Sequence, residues 1–223
     1  MPARSTESVI EEVCGEWLKD LLGLSKSASF ALTSGCQMAH MTALAAARNA
    51  LLSRRGWDVE RDGLCGAPRI RIFSSDQYHG SITRAARMLG IGTGSVIGLP
   101  ANAAGQMDAA ALAQALEGAC GSAVHRAAAG SDDLNIGAYD SFADLIPLAH
   151  RHGAWVHVDG AFGLWVNASA RHRHLLAGVE LADSWATDGH KWLNVPYDSG
   201  FAFVADARAH RSAMSYDASL RHA

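Results

Sequence analysis

Residues 153–163 read Gly-Ala-Trp-Val-His-Val-Asp-Gly-Ala-Phe-Gly. The run 154–158 is almost continuously apolar, as expected of a strand buried on both faces of a parallel sheet. Asp159 follows it directly, and open α/β sheets place their ligand contacts at that end of a strand. Two further short strands follow from the same pattern, at 182–186 and 200–204 (Gly-Phe-Ala-Phe-Val). Between such strands lie helical periodicities. In residues 140–152, Phe142, Leu145, Ile146 and Ala149 face inward, Gly153 ends the helix and Pro147 threatens a kink. Strands alternating with helices predict crossover units and a three-layer α/β fold: a mostly parallel sheet with helices on both faces.

The rest of the chain extends the pattern. Residues 7–22 predict an amphipathic helix with Val9, Val13, Trp17, Leu18 and Leu21 on one face, ended by Gly23. A short apolar approach at 29–32 leads into Thr33-Ser34-Gly35, and a long helix follows until Arg54-Arg55-Gly56. Strands are predicted at 69–74 and 95–99, with helices at 80–89 and 109–116, the latter capped by Asp108. In residues 118–134, His125, Arg126, Asp132 and Asp133 interrupt any strand pattern. No repeat or internal linker divides the chain, so residues 1–223 are expected to form a single domain.

Composition narrows the function classes. The chain has 19 Lys+Arg against 22 Asp+Glu, a net charge of −3, which argues against a nucleic-acid partner. With 49% hydrophobic and 18% charged residues it is neither disordered nor fibrous. The four cysteines, at 14, 36, 65 and 120, form no C-x-x-C pair, so the expectation is a reduced, cytoplasmic setting without a disulfide framework. The polar, acidic start lacks the apolar centre of a signal peptide. Residues 27–47 carry no charge, but their Ser, Thr, Gln, His and Gly content argues against a membrane span.

Three places can carry chemistry. Thr33-Ser34-Gly35 opens a long helix, whose free N–H groups and dipole suit a phosphate, although such residues also serve as plain N-caps. Asp159 closes a buried strand, where a turn-forming role is the simpler alternative. A metal site built on His157, Asp159 and another histidine lacks any supporting spacing, so no metal is expected. Lys191, in Asp188-Gly189-His190-Lys191-Trp192, follows a predicted buried strand. A desolvated lysine there can act as an amine nucleophile on an aldehyde, although most lysines are solvated surface residues. Lysine, carboxylate and helix N-terminus are together what pyridoxal 5'-phosphate requires: a Schiff-base amine, a partner for the pyridine nitrogen and a phosphate site. His79, after the strand at 69–74, offers a flat group to stack on the ring.

Four stretches carry a resemblance: TSGCQMAHMTALAAAR (33–48), FSSDQYHGSITRAARMLG (73–90), GAYDSFADLIPLAHRHGAWVHVDGAFG (137–163) and DSWATDGHKWLNVPYDSGFAFV (183–204). The chain resembles the pyridoxal-phosphate-dependent decarboxylases of the glutamate and aromatic-amino-acid group, with the aspartate-aminotransferase-like fold. The resemblance implies that Lys191 carries the cofactor as a Schiff base and that His190 approaches the phosphate. It also implies that Asp159 pairs with the pyridine nitrogen, Ala161 packs on one ring face, and His79 stacks on the other and steers the reaction. Gly35, Cys36 and Gln37 would form the phosphate cup, and Asp188 would contact phosphate or water. Cys36 and Gln37 replace a glycine and a hydroxyl residue usual in the family, and Asn135-Ile136-Gly137 replaces Asn-Thr-Gly. The resemblance further implies an amino-acid substrate, release of CO₂ and a homodimer. By the same comparison, the chain is a partial large domain without the small C-terminal domain. Tyr216 lies near the family's mobile-loop tyrosine but is not assigned its role. Transamination, C–S cleavage and a non-catalytic relic are the alternatives.

Overall fold

The computed structural model describes residues 5–119, the backbone of 123–128, and residues 137–215. The readings at Asn135, Ile136 and Tyr216 fall outside them. The deciding stretch forms β5 (Trp155–Asp159), buried at every position. Around it lie β1 (Ser29–Thr33), β2 (Arg71–Ser75), β3 (Val96–Leu99), β4 (Ala123–Ala128), β6 (Ser184–Asp188) and β7 (Gly200–Val204). The seven strands form one sheet in the order β1-β7-β6-β5-β4-β2-β3. The neighbours from β6 to β3 pair in parallel, while β7 runs antiparallel to both β6 and β1.

The seven α-helices among the described residues are α1 (Thr6–Leu21), α2 (Cys36–Ser53), α3 (Val59–Asp62), α4 (Ser81–Met88), α5 (Ala109–Glu117), α6 (Phe142–Arg151) and α7 (Ala207–Met214). They cover both faces. Leu44, Leu51 and Leu52 of α2 pack with Ile82 of α4, Ala209 of α7, and Ile72, Trp155 and Val204 of the sheet. On the other face, Leu112 of α5 and Leu145 and Ile146 of α6 pack with Phe73, Val156, Val158, Trp185 and Phe203. Alternation along β5 therefore sends Val156 and Val158 to the α5–α6 face, and Trp155 and His157 toward α2. The three-layer, mostly parallel architecture is as the sequence predicts.

Three differences have physical causes. The predicted interruption at 118–134 still contains a backbone strand, β4, which pairs with β2 and β5 in the sheet centre. Flanking strands supply the pairing that local pattern does not. Pro147 sits inside α6, which continues through it to Arg151, with Phe142, Leu145, Ile146 and Ala149 buried as predicted. In α1 only Leu18 of the predicted apolar face is buried, whereas Val9, Val13, Trp17 and Leu21 are exposed. The periodicity identified the helix but not what covers its apolar stripe. Among the described residues, no helix is long and apolar enough to cross a membrane.

Candidate active site

Sheet register builds the site. Thr33 of β1, Gly200 of β7 and Asp188 of β6 are aligned across three neighbouring strands. The chain leaving Thr33 turns through Ser34 and Gly35 into α2 directly above that row. Gly200 makes this possible, because a Cβ there would fall onto the Gly35 backbone. Close approach of α2 to the sheet rests on small side chains: Ala39 of α2 packs with Ala161, Ala186 and Ala202.

Asp188, 2% exposed, consequently reaches the first turn of α2, and its Oδ1 accepts from the Cys36 N–H at 2.6 Å. Its Oδ2 lies 3.1 Å from Lys191 Nζ, and His190 Nε2 is 3.6 Å from Oδ1. Lys191 thus pairs with a carboxylate at a helix N-terminus, with His190 beside it. Lys191 also stands 4.1 Å above the Phe162 ring centre. His190 stacks on Tyr197 at 4.0 Å, and its Nδ1 accepts from the Ser199 N–H at 3.3 Å.

Asp159 ends β5 almost fully buried. Its Oδ1 accepts from the Ala161 N–H at 3.2 Å, and His40 Nε2 lies 3.3 Å from its Oδ2. Cys36 Sγ is 3.4 Å from the same imidazole nitrogen. Cys36, His40 and Asp159 therefore bring one ligand atom each within 4.8 Å of one another, a grouping able to hold a metal ion. Across the cleft, His79 Nδ1 is 2.9 Å from Ser81 Oγ and accepts from the Ser81 N–H at 3.3 Å, which leaves Nε2 as the proton-bearing nitrogen.

One cavity of about 610 Å³ joins these groups. Gly35, Cys36, Gln37, His79, Asp159, Ala161, Asp188, His190 and Lys191, the nine residues singled out in the sequence, all line it. Sequence reasoning did not select His40, Ser81, Arg84, Phe162 and Tyr197, which line it too. The i, i+4 spacing of Cys36 and His40 on one helix was the available signal for His40. Arg84 Nη1 donates to Gln37 Oε1 at 3.4 Å, and Gln37 Nε2 donates to the Ser81 carbonyl at 3.2 Å, so α2 and α4 share the cavity wall.

A profile described as the pyridoxal-dependent decarboxylase conserved domain matches residues 4–221, nearly the whole chain. The chain belongs to this family. Among its relatives, the L-aspartate decarboxylase dtxS4 of Metarhizium robertsii is 33% identical over 214 residues, covering 95% of this chain and 42% of that protein. The crystal structure of mouse CSAD superposes with a TM-score of 0.83 at 29% identity, over 93% of this chain and 44% of that one. Oryza sativa TDC, solved with PLP and tryptamine, gives 0.81 at 27% identity, over 92% and 43%. The chain thus spans less than half the length of these relatives. As in other pyridoxal-dependent decarboxylases, the cofactor is pyridoxal 5'-phosphate. The residues present fit it: a primary amine, a buried strand-end carboxylate and a helix N-terminus beside two serine hydroxyls and Arg84, around one cavity.

Proposed function

We propose that this chain is the cofactor-holding large domain of an amino-acid decarboxylase, with Lys191 as its catalytic amine. The observation that carries the reading is the convergence of Lys191, Asp159, His79 and the start of α2 on one cavity. Pyridoxal 5'-phosphate, when bound, supplies an aldehyde for the amines and a ring that accepts the electrons of a breaking Cα–carboxylate bond. Lys191 would be the amine that holds the cofactor's aldehyde carbon. Asp188 keeps Lys191 Nζ at the cavity wall and accepts its proton contact at 3.1 Å.

Asp159, in its ionised form, would favour a protonated ring nitrogen. Ala161 and His79 bound the two ring faces, and Ser81 fixes the plane of His79. The start of α2 at Gly35 and Gln37, with His190, receives the phosphate, while the Cys36 N–H is held by Asp188. The repulsion of a phosphate by Asp188 is offset by Lys191. The substrate is a free amino acid. Residues 1–223 act as one unit, and a homodimer is supported by the exposed apolar side chains of α1, of Trp192 and Leu193, and of Tyr197 at the cavity. The thiols of Cys14 and Cys65, outside any disulfide among the described residues, support a cytoplasmic setting.

Product analysis tests the reaction class. Purified protein supplied with pyridoxal 5'-phosphate and a panel of amino acids is expected to release CO₂ and an amine in equal amounts. Lys191→Ala is expected to lower this rate by at least about 10³-fold. A keto acid without CO₂ overturns the assignment.

A further inference from the structure

Behind Asp159 lies a chain of buried polar groups that the reaction described above does not use. Trp155 Nε1–H donates to Ser184 Oγ at 2.8 Å. Ser184 Oγ is 3.0 Å from His157 Nδ1, and His157 Nε2 is 2.9 Å from His40 Nδ1. His40 Nε2 then meets Asp159 Oδ2 at 3.3 Å. His40, His157, Ser184, Trp155 and Asp159 are each at most 1% exposed, so water does not substitute for these bonds.

The two ends set the direction. An indole N–H can only donate, and an ionised carboxylate can only accept. Starting from Trp155, the Ser184 hydroxyl receives the indole proton contact and donates to His157 Nδ1. His157 then carries its proton on Nε2 and donates to His40 Nδ1. His40 carries its proton on Nε2 and donates to Asp159. Every donor meets an acceptor with one proton per imidazole.

The opposite polarity turns the His40 Nε2 lone pair onto the carboxylate, with the weak S–H donor of Cys36 at 3.4 Å as its one hydrogen-bond partner among the described residues. It also directs both Trp155 and His157 at Ser184 Oγ, whose own hydrogen then has no acceptor among the described residues. A divalent ion held by Cys36, His40 and Asp159 requires that opposite polarity, because a ligating Nε2 carries no proton. The geometry therefore favours the hydrogen-bonded state over the metal-bound one.

We infer that His40 and His157 are positioning residues, links in a one-directional hydrogen-bond chain from Trp155 that holds the Asp159 carboxylate as an ionised acceptor toward the cavity. The chain stabilises that charge with neutral donors, so the full charge remains available to a cationic ring nitrogen. Only this last clause rests on the cofactor reading of Asp159. The polarity rests on the donor-only indole and an ionised Asp159, not on the cofactor.

Long-range ¹H–¹⁵N correlation of ¹⁵N-histidine-labelled protein, without cofactor at neutral pH, tests the polarity directly. Both His40 and His157 are expected as single Nε2–H tautomers. A doubly protonated ring, or the Nδ1–H tautomer at either position, overturns the inference. A second measurement reads the effect on Asp159 through pyridoxal 5'-phosphate titrated into variants. His40→Gln keeps a donor near the Nε2 position and is expected to bind within about 3-fold of the parent. His40→Met, similar in size without the donor, is expected to bind about 10-fold more weakly or worse, the scale on which outer hydrogen-bond partners act. Equal binding by His40→Met and the parent, or equal losses for both variants, overturns the positioning role. Absence of cofactor binding to the parent counts against the proposed function instead, and the tautomers still decide this inference.

Discussion

Gly200 has an ordinary sequence context, at the start of Gly-Phe-Ala-Phe-Val, yet it decides whether α2 can begin where it does. A single Cβ there meets backbone rather than a flexible side-chain end, and backbone cannot turn aside. Gly200→Ala is expected to destabilise the fold by about 1–3 kcal/mol, read from the urea midpoint at constant slope. A change under about 0.5 kcal/mol contradicts the close approach of β7 to the Gly35 turn. Such a requirement is invisible along the chain, because it is imposed by residue 35 from across the sheet. The same holds for His40: besides Cys36 on its own helix, its partners come from the end and the middle of β5. Lys191 and Asp159 were legible because each follows an apolar strand with a polar residue of reactive type, a local signal.

Helix α6 shows what a single element adds. Its apolar side was legible from 3.6-residue periodicity, and its polar side holds His150, whose Nε2 lies 2.9 Å from Asp183 Oδ2. That hydrogen bond to Asp183 raises the His150 pKa above its ordinary 6.5, and the charge of Asp183 adds to it. A histidine raised in the folded state contributes stability fully below the unfolded value, and loses it as pH rises through the folded value. His150→Gln is therefore expected to cost about 0.5 kcal/mol in acid, as befits a partly exposed pair, and almost nothing in mild alkali. Urea unfolding of both proteins near pH 5.5 and about pH 9 measures the difference. A cost independent of pH contradicts the ion pair. Burial of His210 pushes its pKa down, which weakens the fold in acid for parent and variant alike and so cancels in this difference. Elements without such periodicity were less readable. The polar stretch behind β4 gives no strand signal, and the sheet supplies the pairing from both sides.

At the scale of the molecule, one sheet order brings together groups from distant parts of the sequence. The start of α2 reaches the site through β1, His79 through β2, Asp159 through β5, and Asp188 and Lys191 through β6 and the turn after it. Fold class followed from alternating strands and helices, but the antiparallel β7 wedged between β1 and β6 did not. That insertion sets the Thr33–Gly200–Asp188 register and delivers the Asp188 carboxylate to the first turn of α2. Borohydride reduction of the protein with stoichiometric pyridoxal 5'-phosphate, followed by peptide mapping, asks whether that assembly presents one reactive amine. The account predicts a phosphopyridoxyl group on Lys191 alone. A label spread over Lys19, Lys26 and Lys191, or one absent from Lys191, contradicts it.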